Sequence, residues 1–122
     1  MKGLKTILFA GLTTIILAAC ASDNAADTVE QYLQAKVAGD AETVQSLLCA
    51  EMENTLVREV NAFSSVSAEI KDMSCQPGTT AEQVMCSGQI VALYGTENMT
   101  FPLGNYRVVR EDEGWKWCGE TQ

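Results

Sequence analysis

Cysteine is the residue type in this chain whose number and spacing bear most directly on chemistry. The sequence holds five cysteines and no histidine among 122 residues. Without imidazole, histidine general bases, Ser-His or Cys-His nucleophiles and histidine metal ligands are excluded. Zinc sites usually contain closely spaced C-x2-4-C pairs, whereas no two of these cysteines lie closer than eleven positions. We therefore predict no metal and no cofactor, and cysteines that serve structure or attachment.

The N-terminal segment that ends at Cys20 has the layout of an export signal. Lys2 and Lys5 precede an apolar run over 7–17, and small residues follow before the cysteine. A basic start, a short apolar middle and a small-residue exit are typical of a secretory signal peptide. The run is well short of the roughly 20 apolar residues that a membrane-spanning helix needs. We therefore predict a signal peptide over 1–19.

The residues at the end of this segment carry a family resemblance. Leu17-Ala18-Ala19-Cys20 resembles the lipobox of bacterial lipoproteins. The resemblance implies that the Cys20 thiol receives a diacylglycerol, that cleavage occurs just before it, and that the new amino terminus gains an acyl chain such as palmitate. Two or three chains anchor a protein stably, since each buried methylene contributes about 0.8 kcal/mol. The alternative role for Cys20 is that of a disulfide partner.

The same resemblance implies a location. The protein would be extracytoplasmic and lipid-anchored, either at the bacterial cell membrane or at the outer membrane. Ala21, the residue after the lipidated cysteine, resembles an outer-membrane sorting signal. A short tether over 20–26 would join the anchor to a single domain over 27–122, and at about 3.3 to 3.6 Å per residue it reaches roughly 20 Å.

The mature chain is strongly acidic. Removal of residues 1–19 takes away Lys2 and Lys5 and leaves six basic and sixteen acidic side chains, a formal net charge of −10. An acidic surface repels phosphate, which argues against nucleic acid as a partner. The charge is explained by solubility, and the alternative is that it attracts a basic peptide or a cationic ligand.

Four cysteines remain beside Cys20. An even number in an exported domain indicates two disulfides, for which three connectivities exist. Cys75 and Cys86 flank QPGTTAEQVM, in which Pro77-Gly78 is a turn signal, so they could face each other across neighbouring strands. Cys49 would then pair with Cys118. Spacing alone leaves the connectivity open.

The first half of the mature chain has helical periodicity. Asp27 is the predicted N-cap of the first helix and Gly39 its stop, and Asp40 is the predicted N-cap of the second. A third helix ends near Ser64. The apolar residues that recur at helical intervals are Val29, Tyr32, Leu33 and Val37 in the first helix, Val44, Leu47 and Leu48 in the second, and Leu56, Val57, Val60 and Phe63 in the third.

After residue 66 the period changes to that of strands. We predict a first strand over 67–75, a second in VMCSGQIVALY with apolar residues on both faces, and a third in MTFPLGNYRVVR. Pro102 and Gly104 indicate an edge, a bulge or a bend in the third strand. EDEG is a turn, and WKWC closes the sheet with Trp115 and Trp117 on one side. Helices followed by an antiparallel sheet indicate the α+β class.

Two of these stretches carry a second resemblance. VEQYLQAKVAGDAETVQSLL is similar to the opening helices of the nuclear transport factor 2-like superfamily, also called SnoaL-like or cystatin-like, and YRVVREDEGWKWC is similar to its closing hairpin. The likeness covers nearly the whole mature domain. It implies N-terminal helices packed on a curved, cone-like antiparallel sheet, which two disulfides would staple in this chain. It also implies pairing through the sheet face.

The carboxylates show no catalytic pattern. Glu51 and Glu53, or Glu69 and Asp72, form sequence pairs that a solvated acidic face explains. The sequence also lacks a glycine-rich phosphate loop. With no histidine in addition, we predict that the protein is not an enzyme.

Two functional hypotheses follow from these patterns. The first is a membrane-anchored structural or protein-interaction module that contacts a second copy or an envelope protein through its sheet. The second is a small-molecule carrier or sensor with an apolar ligand inside the cone. Exposure of Trp115 and Trp117 would favour the first, and a closed cavity lined by methionines the second. The residues predicted to line such a pocket are Tyr32, Met73, Met85, Tyr94 and Tyr106.

Overall fold

The computed structural model describes residues 24–112 and 114–122. The predicted signal peptide, the lipobox and Cys20 lie outside the described residues. The helices are α1 (Ala25–Ala38), α2 (Ala41–Leu47), a 3-10 helix (Ala50–Thr55) and α3 (Leu56–Val60). The strands are β1 (Ser67–Pro77), β2 (Gln83–Tyr94), β3 (Glu97–Pro102), β4 (Asn105–Glu111) and β5 (Gly114–Thr121).

Side-chain caps define the first two helices. The Asn24 side chain accepts a hydrogen bond from the Ala26 N–H at 2.9 Å, so α1 begins earlier than the predicted cap at Asp27. Gly39, with φ at 69°, ends α1 as predicted. Asp40 caps α2 as predicted, and hydrogen bonds from the Thr43 hydroxyl and N–H lower the pKa of its carboxyl.

The third helix in the structure differs from the one that the apolar spacing predicts. It consists of the 3-10 helix followed by the five residues of α3. Val57, which the spacing placed on the buried face, is 73% exposed, whereas Glu59 is only 5% exposed. Glu59 can occupy the inward position because Lys36 of α1 pairs with it at 2.7 Å. An ion pair between helices therefore replaces the apolar contact that periodicity predicted.

The five strands form one antiparallel sheet in the order β1-β2-β4-β5, with β3 beside β2. The long strand β2 pairs with β1 on one edge, and its other edge is shared between β4 over 83–85 and β3 over 89–94. The stretch predicted as one third strand is two strands here. Leu103 and Gly104 separate them, and both bond to β2, the first through its N–H to Gly88 and the second through its carbonyl to Cys86.

A bulge in β1 bends the sheet. The register between β1 and β2 shifts between Lys71 and Ser74, and Asp72 adopts a positive φ of 56°. Gly88 lies opposite, where a Cβ atom would stand 2.6 Å from the Asp72 carbonyl oxygen. Only glycine fits this close approach, and bulges of this kind increase strand twist and curvature. The core lies on the face of the sheet against which α1 packs, which we call the core face.

The core joins α1 to the core face of the sheet through Trp117. The Tyr32 and Trp117 rings stack with centroids 4.0 Å apart, and the Tyr106 ring lies 6.3 Å from Trp117. Trp117 is 3% exposed and belongs to the core. Trp115 is half-buried, and the Arg110 guanidinium lies 5.6 Å from its ring centre. Neither tryptophan forms the exposed aromatic patch considered from the sequence.

The α+β class with two disulfides is confirmed. Cys75 and Cys86 are direct partners in the β1–β2 ladder, with Cα atoms 4.1 Å apart. Cys49 and Cys118 join the start of the 3-10 helix to β5, with Cα atoms 5.3 Å apart. The Cys49 N–H also donates to the Trp117 carbonyl at 2.9 Å. This second bridge therefore fastens the helical layer to the last strand.

The two disulfides should contribute unequally to stability. Removal of Cys49–Cys118, which spans 69 positions, should lower the free energy of unfolding by about 4 kcal/mol, and removal of Cys75–Cys86, which spans 11, by about 3 kcal/mol. The longer loop loses more unfolded-state entropy when closed. Urea denaturation of the double variants Cys49→Ala with Cys118→Ala, and Cys75→Ala with Cys86→Ala, measures both values. A reversed order would contradict the loop-entropy explanation.

Candidate functional site

Apolar side chains on the core face of the sheet continue beyond the part that the core covers. Met99 and Phe101 of β3 stand directly opposite Ala92 and Ile90 of β2. Directly paired residues share a face of the sheet, and both β2 residues are buried. Met99 and Phe101 are nevertheless 47% and 36% exposed. The core face of the sheet therefore reaches solvent at β3.

Aromatic contacts extend this exposed region. The Phe101 ring meets the Phe63 ring edge to face at 6.1 Å and the Tyr94 ring at 6.5 Å. Phe63 is half-buried, and Tyr94 is 39% exposed. Edge-to-face pairs of this kind contribute about 0.5 to 1.5 kcal/mol beyond the area they bury. We call Phe63, Tyr94, Met99 and Phe101 the apolar lip.

The apolar lip escaped prediction for two reasons. Phe63 was assigned to the buried face of a third helix, but it follows α3, which ends at Val60. Met99 and Phe101 alternate with polar residues, which predicts a strand with one buried face and does not reveal that the covering layer stops short. Pro102 was the available signal, since it indicated an edge.

The five residues predicted to line a pocket lie in different places. Tyr32 and Tyr106 are buried beside Trp117 in the core, and Met73 is half-buried against it. Met85 and Tyr94 are each 39% exposed. Nine positions separate them along the continuous strand β2, so Met85 lies on the opposite face from Tyr94. The structure therefore does not bring these five side chains together around one ligand.

A charged cluster lies where α1, α3 and β5 meet. The Lys36 ammonium pairs with the Glu59 carboxylate and lies 5.8 Å from the centre of the Trp117 ring. Burial and then the negative charge of Glu59 raise the pKa of the Tyr32 hydroxyl far above its usual range. Tyr32 therefore stays protonated at neutral pH. Its hydroxyl and the Trp117 Nε1 are buried without a hydrogen-bond partner among the described residues.

A shallow depression of about 280 Å³ opens beside this cluster. Its lining includes two basic side chains, Lys36 and Arg58, and two acidic ones, Glu59 and Glu120. The two positive and two negative charges balance, and Lys36 of α1 already pairs with Glu59 of α3. We infer that this cluster stabilises the packing of the helical layer.

The carboxylates that form pairs in the sequence either make ion pairs or are exposed to solvent. Glu51 binds Arg107 of β4 at 2.8 Å and lies close to the Cys49 and Cys118 sulfur atoms. Those sulfurs are bonded to each other, and a metal site would need them as thiolates. Glu69 pairs with Lys71 at 3.4 Å on the exposed face of β1. Glu53 and Asp72 are exposed.

Comparison with known proteins adds no family to this picture. No protein-family model matches the chain, and no curated protein matches it significantly. Within the described residues, no helix has the length and apolar content that crossing a bilayer requires.

The Lys36–Glu59 pair should be important for stability. We expect Glu59→Gln to lower the free energy of unfolding by about 3 kcal/mol, because it leaves a largely buried ammonium without its counter-charge. Urea denaturation with the disulfides intact measures the change. The exposed Glu53→Gln serves as the matched control, with an expected change within about 0.5 kcal/mol. Equal effects from the two variants would contradict a structural role for the pair.

Proposed function

We propose that this chain is a lipid-anchored, extracytoplasmic lipoprotein of the bacterial envelope whose domain is a non-enzymatic protein-interaction module. The observation that carries the interaction role is the apolar lip. Exposed apolar groups that continue directly from a buried core favour contact with another protein, because contact removes them from water at roughly 25 cal/mol per Å². We also propose that the domain is related to the nuclear transport factor 2-like superfamily. The interaction role does not depend on that relationship.

The anchor rests on the lipobox resemblance at Cys20, and the start of α1 limits its reach. The cap residue Asn24 is four positions after Cys20. Four residues span at most roughly 14 Å. A domain held this close to its membrane meets envelope proteins at a high local concentration, so even a small contact surface is sufficient for binding.

The non-enzymatic part of the proposal rests on three titratable side chains where α1, α3 and β5 meet. Lys36 and Glu59 neutralise each other, and Tyr32 is held protonated. Catalysis by proton transfer needs a group whose pKa lies near the working pH and which contacts a substrate. These three side chains serve the packing of α1 against α3 and β5 instead.

Replacement of Cys20 tests the anchor. We expect Cys20→Ala to abolish incorporation of labelled fatty acid and to leave an unprocessed precursor or a released protein, because the thiol that accepts the lipid is gone. Metabolic labelling with an alkyne-bearing palmitate analogue, followed by membrane fractionation, measures both effects. Ser22→Ala is a neighbouring control that should be lipidated normally. Persistent labelling of Cys20→Ala would contradict the proposal.

Site-specific photo-crosslinking tests the interaction role. A benzoylphenylalanine at Met99, in the apolar lip, should give a discrete adduct with another envelope protein in intact cells. The same group at Val57, which is 73% exposed on α3, should not. Phe101→Asp should reduce the Met99 adduct at least fivefold, since a charge in the apolar lip opposes burial. Equal adducts from both positions, or none from Met99, would contradict the proposal.

A further inference from the structure

The edge of β3 offers a main-chain docking site beside the apolar lip. On one side β3 pairs with β2 in an unbroken register from Gln89↔Pro102 to Tyr94↔Glu97. Within residues 24–112 and 114–122, no strand pairs with its other side. All six residues of β3 are exposed. An unpaired edge of this kind is a template for another extended chain.

The hydrogen bonds to β2 identify which groups of β3 are already used. The Leu103 N–H donates to the Gly88 carbonyl at 3.0 Å, one step beyond the end of β3 and in the same register. In an antiparallel ladder, residues that bond toward the partner recur at every second position. Met99 and Phe101 therefore also direct their main-chain groups toward β2.

The intervening residues direct their main-chain groups away from β2. Asn98 and Thr100 each present an N–H and a carbonyl at the free edge, and Pro102 presents a carbonyl alone. Two donors and three acceptors on alternate residues match an extended segment of about five residues. The side chains on the core face of such a segment would lie beside Met99 and Phe101.

The outer edge of β1, in contrast, is protected against pairing with another strand. The outer edge of β1 is interrupted by the bulge between Lys71 and Ser74. The Cys75 N–H is occupied, because it donates to the Glu30 carboxylate at 3.2 Å. A bulge, charged side chains and local capping are the devices by which proteins keep an edge strand from pairing. In β3 such devices lie only at the two ends, with the charged Glu97 at the start and Pro102 at the finish.

The negative charge of the chain limits which kind of segment can bind at the free edge of β3. The mature chain carries a formal net charge of −10, and Glu97 begins β3 itself. A second copy would bring the same negative charge to the edge, whereas a segment with lysine or arginine is attracted to it. Alternate apolar side chains on that segment would pack against the apolar lip.

We propose that the free edge of β3 binds an extended segment of another protein, with apolar and basic residues in alternation, by adding it as a sixth strand to the sheet. This inference rests on the proposed interaction role and names its partner class. Main-chain hydrogen bonds at Asn98 and Thr100 hold the segment, and the apolar lip selects its side chains.

A peptide titration tests this proposal on the mature protein in uncharged detergent micelles. The probe is an end-capped octapeptide that alternates lysine and valine. Its binding should slow amide hydrogen exchange at least tenfold at Asn98 and Thr100, with little change at Met99 and Phe101, which already bond to β2. Thr100→Pro removes the central edge donor and should weaken binding at least tenfold. Thr100→Val keeps the donor and should bind within twofold of the natural protein.

Four outcomes would overturn the proposal. These are no binding at millimolar peptide, equal binding by Thr100→Pro, equal binding of an octapeptide that alternates glutamate and valine, and protection of the same amides by self-association without peptide. Failure here is distinguishable from failure of the interaction role, because the crosslink at Met99 does not depend on strand addition. If the Met99 adduct is specific but the peptide does not bind, the proposed interaction role stands and the proposed strand addition at β3 is wrong.

Discussion

The stack of Tyr32 on Trp117 is the interaction on which the rest of the structure depends. It joins the middle of α1 to β5, the last strand of the chain, through two rings whose centroids lie 4.0 Å apart. The same tryptophan accepts a hydrogen bond from Cys49 through its carbonyl and lies beneath the Lys36 ammonium. Aromatic packing, a disulfide and an ion pair therefore converge on one residue. In a domain of about 100 residues, such convergence compensates for a small core.

The placement of the helical layer explains the exposure at β3. Helix α1 packs on both β1 and β5, and Trp117 and the Cys49–Cys118 bridge fasten the helical layer to β5. The bulge at Asp72, with Gly88 opposite, curves the strands on the β1 side. β3 lies outside the area that α1 covers, and among the described strands it pairs only with β2. The apolar lip and the free edge therefore follow from the way the core is organised, and a membrane anchor close to α1 would present them to the envelope.

Several elements were predictable because their causes are local. Gly39 and Asp40 end one helix and begin the next through their own main-chain and side-chain hydrogen bonds. Pro77-Gly78 indicated the turn that brings Cys75 opposite Cys86, whereas the sequence left the connectivity open, and the structure pairs Cys49 with Cys118. Other elements were decided by distant partners. Glu59 faces inward because Lys36 lies there, and Leu103 separates β3 from β4 because both strands share the edge of β2.

The sequence by itself determined the α+β class and the acidic charge, because these depend on composition and periodicity, and it carries a short contiguous motif from which we predict a lipid anchor at Cys20. Only the tertiary structure decided which apolar residues are covered. Met99, Phe101 and Ile90 look alike in an alternating pattern, yet Ile90 is buried and the other two face solvent. The difference is physical: burial depends on what packs above a strand, and that layer is built from residues that are far away in the chain.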